Sequence, residues 1–227
     1  LGEDFFTLDL EEESVARQGN RHLVRNGYHF LCVQMSTYGP NNNNLSTETQ
    51  NWLRSQLNAI TNANPNQYVF VMSHSPAKNT IVGSRDSDDS GVWGSSSILR
   101  EIFSEYPQVI SLSGHTHYIN HDDHFVSSNG GFVSVGVPSL SDFCYNSGVV
   151  DELSGGSLGA SLPNSRTYSF GQIIRVDKNS NVKIERYDFK NNGFIKKPIY
   201  INAPKDDLSH LAALSDDTRI NNKQAPY

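Results

Sequence analysis

The chain has 227 residues, with 18 Lys and Arg against 24 Asp and Glu and a formal net charge of -6. That balance, without a basic cluster, argues against a nucleic-acid or anionic-membrane surface as the main partner. The length suffices for one sizeable core, and no apolar run approaches a membrane-spanning helix.

Residues 1–27 have mixed charge and weak periodicity and read as a connection into the folded part. Tyr28 to Gln34 predicts a strand that contains Cys32, a small core residue; Cys144 lies in a loop, and nothing in the sequence pairs the two. After the polar run Pro40-Asn41-Asn42-Asn43-Asn44, the triplet Asn44-Leu45-Ser46 matches a glycosylation acceptor, a short pattern of little weight without evidence of secretion. Thr47 with Gln50 resembles a capping box, and Leu53, Leu57 and Ile60 share one face of the helix that follows. Tyr68 to Ser73 predicts a buried strand, and His74-Ser75-Pro76 ends it because proline cannot continue a ladder. Ser96 or Ser97 can cap a second helix with a buried stripe of Ile98, Leu99, Ile102 and Phe103, closed by Pro107. Gln108 to Ser113 is a further buried strand, leading into Gly114-His115-Thr116-His117. Gly131 to Val137 predicts a strand, and Phe170 to Val176 with Val182 to Phe189 a hairpin. Residues 204–227 are polar, show no clear element and read as a surface tail or a linker.

Two predicted strands therefore end in histidine. In open α/β sheets ligands gather at the carboxyl ends of strands, which would set His74, His115 and His117 around one cleft. Gly114 is expected to supply the sharp backbone turn that aims the imidazoles at one spot. Neutral imidazole suits zinc, iron, manganese and similar ions. One histidine after a strand is more often a hydrated loop residue; two such ends, one carrying Gly-His-x-His, favour a site. His121 and His124 add imidazole density, although the loop Asn120-His121-Asp122-Asp123-His124 reads as solvated. Residues 77–95 and 138–167 are long irregular segments beside the expected cleft, each either covering it or lying in solvent.

The Ser73-His74-Ser75-Pro76 segment, the Gly114 to His117 motif and the intervening Gln50-Asn51-Trp52-Leu53 resemble, in order and spacing, the calcineurin-like metallophosphoesterases over most of residues 28–190. The resemblance implies a four-layer α/β/β/α sandwich, incomplete at its amino terminus, with the domain over 28–203. It implies two divalent or trivalent metal ions, of manganese, iron or zinc, with His74 and His115 on one and His117 on the other. It also implies hydrolysis of a small phosphorylated substrate, a phosphomonoester or phosphodiester. The family's earlier motifs, Asp-x-His, Gly-Asp and Gly-Asn-His followed by an acid, do not occur in order. Gly19-Asn20-Arg21-His22 and Asp122-Asp123-His124 are near misses in the wrong setting. The bridging carboxylate, the asparagine ligand and the proton donor to the leaving group are thus unassigned, and the chain is expected to be part of a longer protein and to lack part of the active site by itself. Two other classes fit part of the pattern: a non-catalytic, protein-binding member of the same fold, and a mononuclear zinc enzyme with three histidine ligands. Substrate, localisation and oligomeric state have no readable code.

Overall fold

A computed structural model describes residues 19–35, 45–85, 95–140, 169–205 and 208–212. The first element is a hairpin, β1 (Arg21–Arg25) and β2 (Tyr28–Cys32), inside and just beyond the stretch expected to be a plain connection. Its turn is Asn26-Gly27, with φ of 50° and 81°. Left-handed values at both central residues match the right-handed twist of the flanking strands, and Asn-Gly tolerates them best.

The chain then alternates: α1 (Thr47–Ala63), β3 (Val69–Ser73), α2 (Ser97–Ser104) and β4 (Val109–Ser113). A 3-10 turn (Asp123–Phe125), β5 (Val126–Ser127) and β6 (Val133–Gly136) follow. These strands form a mixed six-stranded sheet in the order β1-β2-β3-β4-β6-β5, in which β2, β3, β4 and β6 are parallel and both edge strands antiparallel. Helices carry the β2-to-β3 and β3-to-β4 crossovers, as parallel neighbours require. Three further strands, β7 (Phe170–Val176), β8 (Val182–Asp188) and β9 (Gly193–Ile201), make a separate antiparallel sheet. A short helix, α3 (Ser209–Ala212), lies in what read as a featureless tail.

Side-chain alternation sorts the core into two clusters. Val69, Val71 and Val109 face Leu53, Leu57 and Ile60 of α1 and Leu99, Ile102 and Phe103 of α2. Phe70, Ile110, Val133 and Val135 face the other way and pack with Val182, Ile184 and Ile201 of the second sheet. The described residues are therefore mixed α/β, with α1 and α2 on one face of the large sheet and the small sheet, joined by Leu211 of α3, on the other.

Both expected helical stripes are buried, but α1 is capped differently. Ser46, not Thr47, accepts the Thr49 N–H at 3.1 Å, while the Gln50 side chain donates to the Leu45 carbonyl. Ser96 does the same for the Leu99 N–H in α2. Ser46→Ala should cost about 1 kcal/mol in urea unfolding, the usual worth of such a cap, and an unchanged midpoint would show that the α1 terminus contributes nothing. The packing of α1 on α2 is closed at the surface by Arg54, which bonds Glu101 at 3.1 Å and Glu105 at 2.6 Å.

Candidate metal centre

β3 and β4 are parallel neighbours in register, Ser73 beside Ser113, so His74 and Gly114 leave the sheet side by side. The His115 Nδ1 and His74 Nε2 atoms lie 2.9 Å apart, with ring centroids at 4.7 Å and planes at 64°. Two imidazole nitrogens bound to one ion at ordinary metal–nitrogen lengths would be separated by about 3.0 Å at a right angle and about 3.3 Å in a tetrahedral site. The pair is thus close to the spacing that a shared divalent ion needs; as it stands one ring N–H points at the other ring's nitrogen, and an ion would take the place of that proton.

Burial and then the neighbouring His74 and His117 push the His115 imidazole below its ordinary value of 6.5, towards the neutral form that a metal needs. His117 is close enough to act on His115 through its charge, yet its exposed ring does not join the pair in a three-ligand group. Among the described residues no set of three or more His, Cys, Asp or Glu side chains could hold an ion. His74 and His115 are brought together as a pair, and His117 stands beside them.

The local backbone differs from expectation. Gly114 has no left-handed angle; the histidines themselves adopt it, with φ of 68° at His115 and 57° at His117. A Cβ on Gly114 would meet only the His74 carbonyl, at an ordinary 3.9 Å. The sharp turn is made by the Thr116 N–H donating to the Gly114 carbonyl at 2.8 Å. Histidine tolerates this region better than branched residues do, and sparsely populated angles persist where packing enforces them.

That packing comes from the segment after His74. Ser73 Oγ donates to the Ser75 carbonyl, and Ser96 N–H donates to the Pro76 carbonyl. Arg100 of α2 donates to the Lys78, Asn79 and Asn129 carbonyls, each at 2.9 Å. The buried stretch Thr80 to Ser84 is folded upon itself through the Ser84 hydroxyl, which accepts from the Thr80 N–H and donates to the Ile81 carbonyl. Part of the segment 77–95 is therefore packed against the motif; 86–94 lies outside the described residues, as do 141–167 of the second long segment, with Cys144.

Gly83 carries the contact. Its φ is 80°, and a Cβ there would fall 2.7 Å from Thr116 Cβ and 2.8 Å from two Tyr118 ring carbons. Gly83→Ala should therefore cost more than about 1 kcal/mol in chemical unfolding and weaken metal retention by moving the turn between the two motif histidines. A substituted chain of unchanged stability and metal retention would show that the turn is not held from this side.

Behind His117 the chain is anchored to the second sheet. The buried Arg186 guanidinium donates to the Asn120 carbonyl at 3.0 Å and to Asp123 at 2.8 Å, and lies 5.1 Å from the Phe125 ring centroid. Asn120 donates to the Gly171 carbonyl, Gln172 to the Gly136 carbonyl, and Lys196 to the His121 carbonyl. His124 is bonded to Asp122, with its Nδ1 2.9 Å from Oδ1, so the loop read as solvated is a structured bridge between sheets. Arg186, Gln172 and Asn120 gave no signal in sequence because their partners lie far along the chain.

A scan against protein-family models gives no match, and a search of curated proteins finds no matching sequence.

Proposed function

We propose that this chain contributes ligands to a dinuclear metal site that hydrolyses a phosphoester, as in the calcineurin-like metallophosphoesterases that its motifs resemble. The observation that supports this reading is the His74–His115 pair, two ring nitrogens 2.9 Å apart at the carboxyl ends of adjacent parallel strands. His74 and His115 would hold one ion, and His117 would serve a second whose other ligands come from outside this pair. Such ions polarise phosphoryl oxygens and make water a nucleophile at neutral pH. The protein's own part is to hold the two imidazoles side by side and to keep His115 towards its neutral form, which the packed turn and the partial burial of His115 favour. The helices, large sheet and small sheet would be three layers of the implied α/β/β/α sandwich. Among the described residues no helix is long and apolar enough to cross a membrane, and the substrate in this reading is a small phosphorylated molecule.

The test is metal-dependent turnover of an aryl phosphate and an aryl phosphodiester with added manganese, in the chain and in a longer form carrying the remaining family motifs. Turnover confined to the longer form, and lost on His115→Asn, is expected; no metal-dependent turnover in either form would remove the reading.

The pH dependence follows from His115. Its proton affinity is lower folded than unfolded, so the unfolded chain binds more protons and acid favours unfolding. The penalty is absent above the ordinary imidazole value of 6.5 and grows as pH falls below it towards the lowered folded value. Metal retention should fall in the same direction, since protons compete for the ligand nitrogens. Elemental analysis after dialysis from neutral to mildly acidic pH checks this; retention flat into strong acid would point to carboxylate ligands instead.

A further inference from the structure

The hairpin sets up a second imidazole pair at the other end of the sheet. His22 on β1 and His29 on β2 are diagonal neighbours across the antiparallel ladder, since His22 pairs with Leu31 and Val24 with His29. His22 Nε2 lies 2.8 Å from His29 Nδ1, and the ring centroids are 5.0 Å apart. On its far side, His22 Nδ1 lies 2.7 Å from the Gln56 side-chain oxygen of α1. A carboxamide oxygen can only accept, so the proton sits on Nδ1 and the His22 Nε2 lone pair faces His29.

His22 thereby has the outer partner of a metal ligand: one ring nitrogen donates to an oxygen, while the other accepts from His29 Nδ1–H, where a bound ion would take the proton's place as His29 shifts that proton to Nε2. The gap of 2.8 Å is somewhat shorter than the spacing of about 3.0 to 3.3 Å that two imidazoles on one ion adopt, so a small opening of the pair admits an ion. Burial, followed by the charge of His22, holds the His29 imidazole below its ordinary value. Alternation along β1 puts Arg21 and Arg25 on the opposite face from His22. The rings are reachable from solvent, because β1 is an edge strand and His22 is exposed.

We propose that His22 and His29, with Gln56 orienting His22, form a surface clamp for a divalent transition ion of the nickel, copper or zinc kind, its remaining coordination completed by water. Imidazole suits these ions, while magnesium and calcium prefer oxygen. The clamp is separate from the first site: His29 is level with Val69 at the start of β3, and His74 follows its end, about 16 Å away along the strands.

The test is equilibrium dialysis of the untagged chain against Ni2+, with the first pair disabled as His74→Asn with His115→Asn. One bound equivalent should persist in that background and be lost on adding either His22→Asn or His29→Asn. Gln56→Ala, which leaves both ligands in place, should weaken it about 10- to 100-fold. Retention of that equivalent after His22 and His29 are both replaced would overturn the clamp, and so would loss of all Ni2+ in the His74→Asn, His115→Asn background while the chain remains folded by circular dichroism.

Discussion

His115→Asn should lower the affinity of the chain for manganese or cobalt at least about 100-fold, since even outer partners of metal ligands are commonly worth 10- to 100-fold. Asparagine is the informative replacement. His115 has φ of 68°, and asparagine accepts that conformation where alanine would add strain, so a loss of binding reports the missing nitrogen and not a distorted turn. The remaining His74 would be a single imidazole on an exposed strand end, too little to hold an ion against water. Thermal unfolding without metal should change little, because the turn keeps its Thr116 to Gly114 hydrogen bond. Metal affinity and turnover that both survive the substitution would remove His115 from the site.

Phe103→Ala should be among the most destabilising single changes, at about 3–5 kcal/mol. Phe103 is fully buried on the last turn of α2 and meets Phe132 edge-on, with centroids 5.2 Å apart. Phe132 cannot simply slide into the vacated space: its ring already covers Gly130 so closely that a Cβ there would lie 2.2 Å away. The cavity would stay open and α2 would lose its hold on the sheet. Urea unfolding should show a lower midpoint with the slope preserved; a shift worth less than about 1 kcal/mol would mean that the site collapses freely.

The parts of the fold that were legible are those specified locally. The apolar runs before His74 and Gly114, and the helical stripes of Leu53-Leu57-Ile60 and Leu99-Ile102-Phe103, gave β3, β4, α1 and α2 within a residue or two. The β1 hairpin escaped notice although Asn26-Gly27 marks it, because Arg21, His22 and Arg25 dilute the strand pattern. β9 was hidden by Lys196, Lys197 and Pro198. As an edge strand it tolerates proline, and Lys196 takes φ of 55° beside the register shift between Ile184 and Arg186. β5, at two residues, is too short for any periodicity.

For the candidate site, the pairing of His74 with His115 could be anticipated, since both follow strand ends. The backbone reason could not: the left-handed residues are the histidines, and Gly83, from a segment that sequence proximity does not connect, packs against Thr116 and Tyr118 beside them. The His22–His29 pair depends on hairpin register, and seven positions of separation say nothing until Asn26-Gly27 is known to reverse the chain.

The most direct measurement is a crystal structure, or cobalt X-ray absorption with His74→Asn and His115→Asn as controls, of the chain saturated with cobalt. One ion bound by both His74 Nε2 and His115 Nδ1, at about 2.0–2.2 Å from each nitrogen, is the predicted result. Cobalt that avoids the two strand ends, or that binds only one of these imidazoles while the other turns away, would contradict a metal centre built on this pair.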